Sequence, residues 1–215
     1  MRPTVKIFGL TRLDDVRMCI RHGADILGFV TEYPRTVPWN LTAECTTKLI
    51  SNVSRQVETC IVTGGTPEKL LWLISETKPD YVQLHCGESL SDTIFIIDKL
   101  RKSGVRIIKT LFPNTLDLEK TAADFCDAGV YALLYDPRTP DNAISGGAAD
   151  ITAFIKLRSS VSCPVILAGG INPGNVADIV QRTDAQIIDL MTGVESCPGI
   201  KDEVKVIKLF QALRS

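Results

Sequence analysis

The chain has 215 residues, of which 45% are hydrophobic and 23% charged, which is enough for the core of one domain spanning 1–215. A formal net charge of -1 provides no general field for nucleic acid or anionic lipid. The N-terminus lacks a signal-peptide pattern and no apolar run approaches the roughly 18 residues of a membrane span, so we expect a cytoplasmic protein with no nucleic-acid or membrane partner.

Short β-branched runs alternate with helical patterns along the whole chain. The periodicity predicts eight strands, at 5–9, 26–31, 57–63, 81–85, 106–111, 131–136, 165–169 and 187–191. It also predicts eight helices, at 13–22, 42–51, 67–78, 90–103, 116–127, 150–159, 174–181 and 203–213.

Eight such units predict an α/β fold, a single-domain (β/α)₈ TIM barrel. The alternative is an open doubly wound sheet, which has fewer strands and a glycine-rich fingerprint after the first strand. That fingerprint is absent here. The longest irregular stretches, 32–41 and 137–149, follow the second and sixth strands. In a barrel, loops at this end of the strands form the active site.

The cysteine pattern gives no sign of cross-linking or of a metal site. There are seven cysteines, an odd number, and no CxxC pair is present. This argues against a disulfide framework and against a zinc knuckle, and it favours reduced thiols used as small core residues.

Glycine-bearing turns follow the seventh and eighth predicted strands. Backbone N–H groups at such turns bind phosphate in many barrels. Glycine also serves strand-to-helix turns that bind nothing, because it tolerates positive φ. Two such turns side by side favour phosphate binding. A glycine pair in the loop after the sixth strand is a candidate third side of the phosphate site. The predicted phosphate-binding residues are Gly146, Gly147, Gly169, Gly170, Thr192 and Gly193.

Several strings of residues together point to one family. They are VKIFG at 5–9, GADILGFV at 23–30, VQLH at 82–85, LLYD at 133–136, LAGGINPGNV at 167–176, and GVE at 193–195 followed by PGIKD at 198–202. In order and spacing, these strings resemble the phosphoribosylanthranilate isomerases. The resemblance implies an Amadori rearrangement of N-(5'-phosphoribosyl)anthranilate in tryptophan biosynthesis, without metal or organic cofactor. A phosphorylated small-molecule substrate is the expected partner, and we expect a monomer or homodimer.

The Amadori reaction needs a general acid and a general base. The resemblance implies that Asp136 is the acid, and a lone carboxylate ending an apolar strand should have a raised pKa. Alternatively, Asp136 only caps the turn before the following proline. The resemblance also implies that Arg35 binds the anthranilate carboxylate, since a guanidinium group can form two hydrogen bonds with a carboxylate. Alternatively, Arg35 is an ordinary loop arginine exposed to solvent. His85 is a further candidate substrate contact.

The family's catalytic cysteine is replaced by Phe8, which has no proton to exchange. Cys86 follows His85 where the family usually has glycine, so it is a tentative replacement base if a nearby charge or dipole lowers its pKa. A thiol tolerated in a loop is the alternative. Lys6 shares the inward side of the first strand with Phe8, which indicates either a structural ion pair or a contact with the substrate.

Three functional hypotheses remain open. The first is an isomerase with an altered base, favoured because Asp136, Arg35 and the phosphate turns persist. The second is a paralogue acting as an isomerase or lyase on another phosphorylated substrate, since Met191 stands where the family has a small residue and the pocket is therefore reshaped. The third is a non-catalytic barrel that binds a phosphorylated ligand.

Overall fold

The computed structural model describes residues 2–137 and 148–214. Eight parallel strands form a closed barrel in sequential order, with β8 paired to β1. This confirms the predicted (β/α)₈ fold and excludes the open sheet. The strands are β1 Thr4–Ile7, β2 Ile26–Val30, β3 Glu58–Thr63, β4 Tyr81–Leu84, β5 Arg106–Leu111, β6 Ala132–Tyr135, β7 Val165–Ala168 and β8 Ile187–Leu190.

The helices lie around the barrel, and several begin at a capping side chain that accepts a backbone N–H three residues on, among them Thr42, Thr66 and Ser89. Within the described ranges, every helix is too short or too polar to cross a membrane. The helices are α1 Leu13–His22, α2 Ala43–Ile50, α3 Pro67–Thr77, α4 Leu90–Leu100, α5 Leu118–Asp127, α6 Ile151–Ser160, α7 Val176–Thr183 and α8 Glu203–Ala212.

The strand alternation divides the core into two parts. In β1, Val5 and Ile7 pack in the large apolar layer between sheet and helices, whereas Lys6 points into the barrel. The interior below Lys6 is filled by a second apolar cluster. Its members are Ile26, Cys60, Tyr81, Ile108, Ala132, Leu134, Ile166, Ala168 and Ile187.

A short hairpin after β8 was not predicted from the sequence. It consists of β9 Glu195–Cys197 and β10 Ile200–Lys201, and a 3₁₀ turn, Thr192–Val194, precedes it. The buried Lys201 Nζ lies 2.6 Å from Glu195 Oε1, and the Lys201 backbone N–H donates to Asp15 of α1 at 3.1 Å. These contacts fix the loop after β8 against the first helix.

One expectation about the cysteines is wrong. Cys126 at the end of α5 and Cys163 before β7 form a disulfide, with 5.6 Å between their Cα atoms. The fold brings the two together across 37 residues of sequence, a proximity that spacing alone does not reveal. The other five cysteines are free, and two of these, Cys19 and Cys60, are buried.

Candidate functional site

Asp136 and His85 meet at the carboxyl end of the barrel. Asp136 directly follows β6 and is buried, and His85 directly follows β4. His85 Nε2 lies 3.3 Å from Asp136 Oδ2, while His85 Nδ1 lies 3.1 Å from the Tyr33 hydroxyl oxygen. Tyr33 belongs to the loop after β2, so three βα loops bring these polar groups to one place.

Cys86 extends this arrangement, and its surroundings bear on whether it could act as a base. Its thiol lies close enough to the Tyr33 hydroxyl that each group affects the pKa of the other. Burial raises the pKa of the Cys86 thiol, and this effect outweighs the opposing influence of Tyr33 and Arg35. Desolvation dominates at this position, so the surroundings do not favour the lowered pKa that a thiol base would need, and the role of Cys86 as a base stays a prediction. Burial also raises the pKa of the Tyr33 hydroxyl.

Arg35 lies at the exposed rim of the same mouth. Its charge opposes the upward pKa shift that burial causes at both Tyr33 and Cys86, which places the guanidinium within electrostatic reach of both groups. A ligand carboxylate at the mouth would meet this cation before the buried groups.

The loop carrying His85 and Cys86 is held from below by a buried ion pair. Glu88 Oε2 lies 2.9 Å from Lys109 Nζ, and both carboxylate oxygens accept the Cys86 backbone N–H at 3.2 Å. Both charged side chains are almost completely buried. The sequence reasoning missed this pair, although a lysine inside the apolar β5 run was a usable signal because a buried lysine requires a partner.

Lys6 lies in a second buried polar network, beneath Phe8. Its Nζ donates to Gln83 Oε1 at 2.7 Å and lies 3.0 Å from Asp189 Oδ2. The lysine is completely buried, and its Nζ is 4.8 Å from the centre of the Phe8 ring. Of the two alternatives for Lys6, the structure shows the ion pair, and a substrate contact stays a prediction.

Phe8 belongs to an apolar group at the barrel mouth that we call the mouth cluster. Phe8 itself is half-buried, immediately beyond the end of β1. Large side chains therefore surround position 8, where the family resemblance predicts a catalytic thiol. The members of the mouth cluster are Phe8, Val30, Tyr33, Val37, Trp39, Val62, Cys86 and Met191.

The turns after β7 and β8 come together, as predicted. Gly169 and Gly170 both have positive φ, at 100° and 59°. Along the described chain, the backbone N–H groups of the four predicted residues have no hydrogen-bond acceptor. Together with Phe8 and Met191, the turns line a small pocket. These four residues are Gly169, Gly170, Thr192 and Gly193.

Two further points bear on ligand binding. Gly146 and Gly147, the predicted third side of the phosphate site, lie outside the described residues. Among residues 2–137 and 148–214, no three histidine, cysteine, aspartate or glutamate side chains are grouped so that they could hold a metal ion.

A closed (β/α)₈ barrel with a buried carboxyl group at its mouth and glycine turns after β7 and β8 has the architecture of the barrel enzymes that bind phosphorylated substrates. Residues 5–212 match the family model described as N-(5'phosphoribosyl)anthranilate (PRA) isomerase. The chain belongs to this family.

Relatives of similar length support the assignment. The N-(5'-phosphoribosyl)anthranilate isomerase of Halobacterium salinarum is 33% identical, covering 94% of this chain and 91% of its own. That of Methanopyrus kandleri is 32% identical, with 98% of both chains covered. The crystal structure of the Thermus thermophilus phosphoribosyl anthranilate isomerase superposes with a TM-score of 0.84 at 29% identity, covering 100% of this chain and 98% of that one.

A more distant structure supports the fold alone. A phosphoribosyl anthranilate isomerase in complex with reduced 1-(o-carboxyphenylamino)-1-deoxyribulose 5-phosphate has a TM-score of 0.81 at 23% identity, covering 99% of this chain and 98% of that one. Its ligand carries both a phosphate and a carboxylate.

Proposed function

We propose that this protein is an N-(5'-phosphoribosyl)anthranilate isomerase that catalyses the Amadori rearrangement of tryptophan biosynthesis. The observation that carries the proposal is the buried Asp136, held at the barrel mouth by His85, in a chain that belongs to the isomerase family. The reaction requires neither a metal nor an organic cofactor. Its partner is a phosphorylated small molecule, and a monomer or homodimer suffices.

The substrate would be bound at its two anionic ends. The phosphate is assigned to the amides of Gly169, Gly170, Thr192 and Gly193, which converge on one pocket and lack acceptors among the described residues. The anthranilate carboxylate is assigned to Arg35 at the rim, where a planar guanidinium can form two parallel hydrogen bonds.

Asp136 is assigned as the general acid. Its proton goes to the ribose ring oxygen as the C1'–O4' bond breaks, and the anilino nitrogen lone pair forms the C=N bond of an iminium. Asp136 is buried at the end of β6, so its carboxyl group is held in one place at the barrel mouth. Removal of the C2' proton needs a base, which Phe8 cannot provide.

Two measurements test the proposal. The gene should restore growth without tryptophan to an auxotroph that lacks this isomerase, and the purified protein should convert phosphoribosylanthranilate. Asp136→Asn keeps the shape of the side chain and should lower kcat by about 10²–10⁴-fold. Failure of the wild-type protein in both assays would reject the isomerase function.

The mouth cluster supports a second candidate. Phe8 and Met191 narrow the space beside the phosphate pocket, which would suit a different phosphorylated substrate. A paralogue with another isomerase or lyase activity, or a non-catalytic binding protein, would bind inorganic phosphate at the four amides without converting phosphoribosylanthranilate. Phosphate titration of the purified protein distinguishes these alternatives from a protein with no phosphate site.

A further inference from the structure

Tyr33, His85 and Asp136 form one continuous hydrogen-bonded chain at the barrel mouth. We propose that His85 is the base that replaces the thiol missing at Phe8, with Tyr33 as the residue that positions it. This inference deepens the proposed function and rests on it. The carboxyl group of Asp136, after β6, then provides the acid and the imidazole of His85, after β4, provides the base, with 3.3 Å between Nε2 and Oδ2.

Packing holds the imidazole of His85 in a fixed orientation. The ring stacks edge-on against Phe112, with 5.3 Å between centroids and 87° between planes. Tyr33 contacts it in a similar edge geometry at 5.9 Å. The His85 side chain is 13% exposed and that of Asp136 is 3% exposed, so His85 is the more accessible member of the pair.

The hydrogen bonds around Tyr33 indicate which nitrogen of His85 carries the hydrogen. The Tyr33 hydroxyl also lies near the Cys86 thiol, in the same apolar cluster, and each of these groups affects the pKa of the other. If Tyr33 donates its hydrogen to sulfur, its oxygen accepts from His85 Nδ1–H. Nε2 is then left with a lone pair that faces Asp136 and the mouth, and this is the tautomer that a base needs.

The proton balance closes within the pair. Asp136 gives its proton to the ring oxygen, which opens the furanose. His85 Nε2 then removes the C2' proton, the C–H electrons form the C1'=C2' bond, and the C=N electrons return to nitrogen. The enolamine becomes the ketone when its C2' hydroxyl loses a proton and C1' gains one. Imidazolium returns its proton across the 3.3 Å contact to Asp136, which restores the starting state.

Cys86 is the competing candidate for the base, and its surroundings disfavour it. A thiol acts as a base only when ionised. Burial in the mouth cluster raises its pKa, so little thiolate forms near neutral pH. A neutral imidazole accepts a proton without prior ionisation, which gives His85 the advantage under the same conditions.

The tautomer can be measured without any substrate. The chain has only two histidines, so a His22→Asn variant identifies the nitrogen signals of His85 in ¹⁵N NMR spectra. We expect hydrogen on Nδ1 in the wild-type protein, and a shift towards the Nε2–H form in Tyr33→Phe, which lacks the acceptor oxygen. Hydrogen on Nε2 in the wild-type protein would overturn the proposal whatever the activity.

Kinetics then test the role in catalysis. His85→Gln preserves a polar group near Asp136, but the glutamine side chain cannot act as a base. The kcat of this variant should therefore fall by about 10²–10⁴-fold. Tyr33→Phe should lower kcat by about threefold to tenfold with KM little changed, because only the orientation of His85 is affected. Circular dichroism and phosphate binding establish that both variants remain folded.

The outcomes distinguish an error in the assignment of the base from an error in the proposed reaction. An active wild-type protein whose kcat is unaffected by His85→Gln rejects His85 as the base, and a large loss in Cys86→Ser would assign that role to the thiol. A wild-type protein that never converts phosphoribosylanthranilate rejects the proposed function, and this base assignment with it. In that case the NMR result still reports whether the Tyr33 contact sets the tautomer.

Discussion

Gly28 of β2 lies directly against Phe8. A methyl group at position 28 would overlap the Phe8 Cβ and come within 3.0 Å of its Cα. The neighbouring strand therefore has no side chain at the place where Phe8 leaves the barrel wall. The absence of a side chain at position 28 leaves room for the Cβ of the residue at position 8.

Gly28→Ala should destabilise the protein by about 1–3 kcal/mol, since the added methyl overpacks a closed barrel. Adding Phe8→Gly removes the Cβ that is overlapped and should recover part of the loss. Urea unfolding of the two single variants and the double variant measures this coupling. Equal stability of Gly28→Ala and the wild-type protein would show that the contact is not tight.

The phosphate pocket should depend on Gly193. A methyl group there would overlap the Ile171 carbonyl oxygen and lie 2.9 Å from its carbonyl carbon, which would push the loops after β7 and β8 apart. Gly193→Ala should weaken phosphate binding by at least about tenfold, as amide hydrogen bonds to the anion are lost. In the wild-type protein, phosphate or sulfate should shift the amide signals of Gly169, Gly170, Thr192 and Gly193.

Gly104→Ala controls for a general loss of stability, because it strains the backbone without an overlap near the phosphate pocket. Gly104 has φ of +78°, and no atom lies within 4 Å of an added Cβ. This variant should lose about 1 kcal/mol of stability while phosphate affinity stays unchanged. If the four amides do not shift on titration while others do, the site has been assigned to the wrong turns.

Local periodicity predicted most of the fold. The helix at 13–22 has the predicted bounds, because its apolar face recurs with helical spacing and Gly23 ends it in the left-handed region. Helix α4 stops at Leu100 rather than at 103, since the last residues form turns. Helix ends depend on tertiary contacts that a periodic pattern does not contain.

Contacts between distant residues account for what the sequence did not show. Tyr33 and His85 are 52 residues apart, and their hydrogen bond exists only because the loops after β2 and β4 converge. The Glu195–Lys201 pair lies within a short charged segment that resembles an exposed loop. The sequence strings shared with the family predicted that Asp136 and the glycine turns lie at the barrel mouth, because these positions directly follow strands.

The protein should lose stability at alkaline pH through two buried thiols. Burial raises the pKa of Cys19 and of Cys60 from 9.0 to about 12. Because the folded state holds these protons more tightly than the unfolded state, the stabilisation is complete below pH 9 and declines as pH rises towards 12. Cys60→Ala should reduce this alkaline slope in urea unfolding experiments, whereas Cys45→Ala, at an exposed position, should not.

The disulfide should be detectable chemically. Of the seven cysteines, the five free ones should react with a thiol reagent in unreduced, denatured protein, and all seven after reduction. Reduction, or the Cys126→Ala/Cys163→Ala double variant, should cost about 3–4 kcal/mol according to the chain-entropy relation for a loop of this length. Seven reactive thiols before reduction would contradict the bond. Since disulfides are rare in the cytosol of most organisms, the count also bears on the predicted cytoplasmic location.

Phe8→Cys places a thiol where the family resemblance predicts one, and it should matter most when His85 is replaced by glutamine. In the wild-type background, kcat should change by less than about tenfold, because His85 already accepts the C2' proton. In the His85→Gln background, the new thiol should raise kcat by at least about tenfold. Phe8→Ala removes the ring without adding a base, so it controls for the space that the smaller side chain opens.

The difference in kcat between Phe8→Cys and Phe8→Ala therefore measures the effect of the thiol as a proton acceptor, because both variants remove the aromatic ring. The rescue should increase as pH rises, because a thiol is a base only when ionised. Equal activity of the two variants in the His85→Gln background would show that position 8 no longer reaches C2'. Inert wild-type and Phe8→Cys proteins that still bind phosphate would instead indicate a barrel repurposed for another phosphorylated ligand.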